Sequence, residues 1–304
     1  MIMQFFELVK RNLRIYFRDK GAVFFSLLSM IIVIALMLFF LGDMNVESLA
    51  ENLSYFQGRD PEKDKEHAEL LVLIWTAAGI ISINAVTVTL AVLSSMIKDR
   101  TSGILNSIYT APVSRLKISA AYVFSSWTAS VIICAITLAI AEIYCIIKGA
   151  EPFSAAAHFK LIGMIAVNSF TYSSLMYLVA MLAKTEAAWS GLGTVIGTLV
   201  GFLGGIYLPI GTLSEGIGNA MKCLPVIYGA AAFRDVMTED ITAEMFEGIP
   251  ADFVSEYKQA MGIELYVGDS AVSSGMCMLI LVICGIVFLA AGAAVTSRGR
   301  HSDR

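Results

Sequence analysis

The chain has 304 residues, of which 57% are hydrophobic and only 15% charged, with a formal net charge of -4. A soluble domain carries about 25% charged residues, so a soluble enzyme is excluded and no nucleic acid is expected among the partners. A bilayer core of roughly 30 Å takes about 20 mostly apolar residues per helix, and six stretches of this chain are apolar enough.

Residues 1–20 precede the first of these stretches and have the periodicity of an amphipathic helix. At about 100° per residue, Glu7, Arg11, Arg14 and Arg18 share one face, while Phe5, Val9, Leu13 and Tyr16 share the opposite one. Such a helix lies in the headgroup layer, apolar side down, with its cations toward anionic lipid or a partner. A topology anchor and a docking element are both open to it.

The six expected spans are 22–42, 70–97, 118–147, 159–183, 187–210 and 271–295. The first is not a cleaved signal peptide, because its apolar core is too long and no small-residue cleavage pattern follows Phe39, Phe40 and Leu41. Residues 43–69 are strongly acidic, contain Gly58 and Pro61, and read as a solvated external connection. Between spans two and three, the basic segment 98–117 carries the apolar run Ile104, Leu105, Ile108. Gly103 and Pro112 bracket a short helix there, and Arg100 and Arg115 can meet acidic rims.

Polar groups inside the spans are few. An ionised carboxylate at mid-bilayer costs about 2.5–3.5 kcal/mol, so Glu142 in the third span must face a partner or water. Snorkelling beside Lys148, about one turn away, and lining a substrate path are both open. Asn84 and Asn168 suit interhelical hydrogen bonds, with a substrate path as the sharper alternative. Gly191, Gly193, Gly197, Gly201, Gly204 and Gly205 mark a face of the fifth span for close helix packing or a subunit interface.

Residues 211–270 form the second external segment. They begin with Leu213, Ile217, Met221 and Leu224 at helical spacing, interrupted by Pro209 and Pro225 and followed by Tyr228. A short helix or re-entrant hairpin fits, since broken backbone is tolerated at membrane depth only under cover of protein or a water-filled cavity. These residues are candidates for an external gate. The rest, from about Asp235, reads as an acidic cap with short helices.

Charge fixes the orientation. Assigning loops alternately to two sides puts thirteen basic and five acidic residues on one side, a net +8, and eight basic and nineteen acidic on the other, a net -11. By the positive-inside rule the first side, with both termini, is cytoplasmic, and the protein is a multi-pass protein of the cell membrane. The five cysteines form no Cys-x-x-Cys pattern or disulfide framework, and His67, His158 and His301 are too scattered for a zinc site. There is no Gly-x-x-x-x-Gly-Lys-Ser/Thr loop, no His-Glu-x-x-His and no Gly-x-Ser-x-Gly, so neither a catalytic nor a metal site is expected.

The layout resembles the ABC-2 type permeases, membrane subunits of ABC exporters. The resemblance is carried by the amphipathic 5–20 and by the run Lys98-Asp99-Arg100-Thr101-Ser102-Gly103-Ile104-Leu105 leading to Thr110-Ala111-Pro112-Val113-Ser114-Arg115. Leu224-Pro225-Val226-Ile227-Tyr228 with Phe233-Arg234 completes it. Asn106 stands where relatives often have an acidic residue. The resemblance implies an all-α membrane fold of six transmembrane helices with an interfacial N-terminal helix, a cytoplasmic coupling helix and a re-entrant or external segment between helices five and six. It also implies a homo- or heterodimer with a second permease copy, surrounding lipid, and a cytoplasmic ABC ATPase that holds the ATP and Mg, this chain binding no cofactor. The ATPase would dock on Arg11, Arg14, Arg18, Arg100, Gly103, Ile104, Leu105, Ile108, Pro112 and Arg115. The cargo would be a drug, a lipid-like molecule or a peptide. A non-pumping accessory or immunity protein that binds a membrane-active molecule is the alternative.

Overall fold

The computed structural model describes residues 2–36, 42–109, 113–268 and 270–302. It is 82% helical, which places the chain among helical membrane proteins. The helices are α1 (Ile2–Arg18), α2 (Lys20–Leu36), α3 (Gly42–Ser54), α4 (Pro61–Thr101), α5 (Ile104–Tyr109), α6 (Arg115–Ile147), α7 (Ala155–Leu182), α8 (Glu186–Leu203), α9 (Glu215–Lys222), α10 (Pro225–Met237), α11 (Glu239–Met245), α12 (Ala251–Ala260) and α13 (Ser274–Ser302). One departure from an all-α fold is a two-stranded antiparallel hairpin, β1 (Leu265–Val267) with β2 (Ser270–Val272), which pairs Tyr266 with Ala271.

Five helices, α4, α6, α7, α8 and α13, are long and apolar enough to cross a membrane among the described residues. Of the span expected at 22–42, the structure describes α2, 17 residues long, and residues 37–41 lie outside the described residues.

α4 is the central helix, and it is longer than the span expected at 70–97. Its 41 residues at 1.5 Å each extend about 60 Å, roughly twice a bilayer core. The local cause is a well-formed start: the Asp60 side chain accepts from the Glu62 amide, Pro61 opens the helix, and Glu62 and Asp64 sit in its first turn, each favourable at a helix N-terminus.

The projecting turns are covered, which corrects the expectation of a solvated connection over 43–69. α3 lays Val46, Leu49 and Leu53 on Ala68, Leu71 and Val72, and Met245 and Phe246 close a second apolar core. Arg59 fastens it, donating from Nε to Asp64 at 2.8 Å and from Nη2 to the Met245 carbonyl at 2.8 Å. The Asp64 carboxylate raises the Arg59 pKa above the ordinary arginine value.

The span expected to reach residue 210 stops at Leu203. Gly204 caps α8 and Gly205 takes φ +63°, a conformation open to glycine, which turns the chain toward a short 3-10 turn at Ile210–Thr212. α10 then runs between α4, α7 and α13 and is buried nearly throughout, an interior helix where a short helix or re-entrant hairpin was expected ahead of the cap.

α7 and α13 pack against one another along their length. A Cβ on Gly285 would lie 2.7 Å from the Phe170 ring, and one on Gly292 would lie 2.6 Å from the Tyr177 ring. Small residues permit such approach in membranes. Gly292→Ala is therefore expected to cost about 1–3 kcal/mol through overpacking, read as a lowered melting midpoint in detergent. Gly191→Ala, where a Cβ would meet nothing within 4 Å, should melt like the parent chain.

Candidate functional site

The last turn of α4 is a junction built from three consecutive residues, each holding a different helix. Asp99, 5% exposed, accepts from both terminal nitrogens of Arg11 on α1, at 2.7 and 2.8 Å, and from the Tyr122 hydroxyl of α6. This bidentate, charge-assisted geometry is the strong form of a hydrogen-bonded ion pair, and it raises the Arg11 pKa above the ordinary arginine value. Arg100 reaches the end of α7, donating from Nη1 to the Ala183 carbonyl at 2.8 Å and to the Ala180 carbonyl at 3.3 Å. These are terminal carbonyls without helical partners, and a cation there is doubly favourable. Thr101 donates to Glu186 at the start of α8, at 2.6 Å.

α5 grows directly from this junction. Gly103, at φ +77°, reverses the chain after the Ser102 cap. Leu105 is buried in the main core at 7% exposure, Ile108 is packed against it, and Ile104 faces outward at 46%. Arg115 opens α6 and is half-buried. Pro112 lies outside the described residues.

These positions revise the expected docking set. Arg11 and Arg100 are committed within the chain, and Leu105 anchors α5 to the bundle. Arg14 and Arg18 on α1 and Ile104 on α5 remain exposed, and the Arg11–Asp99 pair brings α1 and α5 to the same end of the molecule. The apolar side of α1 is corrected as well. Val9 and Tyr16 are buried together with Asn12, and α1 packs on α6 and α4, so that side meets the bundle rather than lipid. Protein is available there because Asp99 draws the helix in.

Glu142 has a partner other than the expected Lys148. It accepts from the Phe153 amide at 3.0 Å and lies 2.8 Å from His158 Nε2, while His158 Nδ1 lies 3.0 Å from the Ser154 carbonyl. The ring thus staples the end of α6 to the start of α7. A helix end and the following helix start are neighbours in space, which one-turn spacing along α6 does not reveal.

Asn84 and Asn168 are 2% and 1% exposed and lie between helices. Asn84 donates to Thr137 of α6 at 2.8 Å, and Asn168 donates to the Ser82 carbonyl of α4 at 3.0 Å. Asn84 fastens α4 to α6, and Asn168 fastens α7 to α4. Of the expected gate residues, Pro209 precedes the 3-10 turn, Pro225 occupies the first turn of α10, and Tyr228 donates to the Lys222 carbonyl at 2.8 Å.

Arg234 on α10 had no role in the sequence reading beyond its place beside Phe233. It is fully buried, donates from Nη2 to the Gly204 and Gly205 carbonyls at 3.1 and 2.9 Å, and lies 4.1 Å above the Trp75 ring. A guanidinium keeps its charge at neutral pH. A single arginine directly after the apolar 226–233 run was the available signal.

The ABC-2 type transporter family matches residues 3–238, a stretch that takes in α1 through α10. No curated protein matches the chain.

Proposed function

The chain belongs to the ABC-2 type transporter family, and we propose that it is the permease subunit of an ATP-driven exporter, moving a hydrophobic or amphipathic cargo outward with energy from a separate ATPase. Asp99, Arg100 and Thr101 carry this reading. A push on α5 reaches α1, α6, α7 and α8 through one helical turn, which is the linkage a chain driven from outside requires.

In this reading α5 and the exposed arginines of α1 face the cytoplasm, and Ile104 enters a groove of the ATPase while Arg14 and Arg18 meet its acidic rim. Both termini are then cytoplasmic, in accord with the charge asymmetry. A second permease subunit would pair with this one along α8, whose Gly191 and Gly197 leave open space. The ATPase would hold the ATP and Mg.

Ile104→Asp is the direct test, since Ile104 is exposed and its loss leaves the Leu105 anchor in place. In proteoliposomes with an ABC ATPase that co-purifies with this chain, the variant should insert normally while ATP-driven transport falls about tenfold or more, the equivalent of one lost apolar anchor. Parent-level transport by Ile104→Asp would remove the docking role of α5. Failure of the parent chain to recover or stimulate any ATPase would favour the non-pumping alternative.

A further inference from the structure

Phe246 closes the second apolar core over the start of α4, and it also lines a cavity of about 610 Å³ between the end of α10, α11, α12 and the start of α7. The cavity thus lies at the opposite end of α4 from the junction. One of its walls is a single helical face. Asp235, Thr238, Glu239 and Thr242 stand there at positions i, i+3, i+4 and i+7. The Thr238 and Thr242 amides carry the helical ladder from α10 into α11, donating to the carbonyls of Arg234 and Thr238.

This wall offers acceptors and no free proton. Thr238 and Thr242 are 0% and 4% exposed, and their hydroxyls donate back to the same two carbonyls at 2.7 Å, which leaves only oxygen lone pairs for an occupant. Asp235 is half-buried and Glu239 exposed, and neither carboxylate has an ion-pair partner among the described residues. Across the cavity Lys258 and Glu264 are already paired at 3.4 Å. Lys160, exposed at the rim, makes no ion pair among the described residues. Two carboxylates therefore face one free ammonium, and the cavity is negative. Phe246, Ile249, Val254 and Ile263 supply the apolar remainder of the lining.

We propose that this cavity binds an amphiphile with a primary ammonium group, seated between Asp235 and Glu239 over the two threonine oxygens, with its apolar body against Phe246, Ile249, Val254 and Ile263. An ammonium brings three donors to a wall made of acceptors, and the apolar lining favours an amphiphile over a bare cation. The volume lies within the roughly 300–1,000 Å³ of small-molecule sites.

The test uses the purified full chain in detergent without an ATPase, so its outcome is independent of the exporter reading. The probe is dansylcadaverine, a primary amine joined by a short alkyl chain to an apolar fluorescent ring; its N-acetyl form has the same body without the charge. The amine should bind with enhanced emission, and the acetylated form about tenfold more weakly, as for the loss of a charge-assisted hydrogen bond. Asp235→Asn should weaken the amine about tenfold, and the more exposed Glu239→Gln about threefold. Lys160→Gln removes the opposing charge and should bind the amine at least as tightly as the parent chain. Equal binding of the two forms by the parent chain, or parent-like binding of the amine when Asp235→Asn and Glu239→Gln are combined, overturns the proposal. Weakened binding in Lys160→Gln overturns it too, and so does displacement of the amine by Mg at matched concentration, which would make the site one for a metal ion.

Discussion

Asp99→Asn is expected to give a chain that still inserts but transports at a small fraction of the parent rate. The substitution keeps the shape of the side chain and removes its charge, so Arg11 loses a bidentate acceptor and Tyr122 an ionic one. Breaking a buried ion pair from one side costs about 3–5 kcal/mol. Arg11 keeps 33% of its side-chain surface in solvent, which lowers the expected cost to about 2–3 kcal/mol, since the stranded guanidinium can rehydrate. The other anchors of α1 are the buried Val9, Asn12 and Tyr16, so α1 should loosen from α6 while the apolar spans stay in place. Limited trypsin digestion at Arg14 and Arg18 would register the release, and transport in proteoliposomes would register its consequence. Because the two side chains act as one unit, Arg11→Gln should produce a similar loss, and the double variant little more than either single one. Parent-like protease protection and transport in Asp99→Asn would show that the junction does not carry movement.

Arg234→Met should disable the opposite region of the molecule. The guanidinium clamps the turn at the end of α8 by donating to the Gly204 and Gly205 carbonyls while stacking on Trp75. Replacing a buried charge with a thioether of similar length relieves desolvation, a gain that opposes the loss. Two buried carbonyls are left without that donor, at about 1–3 kcal/mol each, and the cation–π contact, about 2 kcal/mol when desolvated, goes with them. The losses outweigh the relief, so the melting midpoint in detergent should fall and the emission of Trp75 should shift as its ring loses its cover. Arg234→Lys should recover only part of the stability, because a point charge on a flexible stem cannot span both carbonyls and stack at the same time. A midpoint at or above that of the parent in Arg234→Met would mean that desolvation dominates and the clamp is dispensable.

Apolar composition and length alone made the membrane class legible, because each spanning helix must satisfy its backbone internally and present an apolar surface. Local chemistry was readable too: Gly103 as the break before α5, Pro225 as an interruption ahead of Tyr228, and the amphipathic period of α1. The pairing of polar groups was not readable. Arg11 and Asp99 are 88 residues apart, and a helical wheel places Arg11 among exposed cations because nothing local distinguishes it from Arg14. Arg100 looked like a surface charge until the end of α7 lay beside it, and the acidic 43–69 stretch looked solvated until α3 covered the projecting start of α4.

The sequence by itself determined that this chain is a helical membrane protein and that it lacks a phosphate-binding loop, since hydropathy and motif spacing are properties of the chain. Only the tertiary structure decided which charges are available to a partner. Burial and pairing arise from helices that meet across long sequence separations, and they withdraw Arg11, Arg100 and Leu105 into the junction while leaving Ile104, Arg14 and Arg18 on its surface.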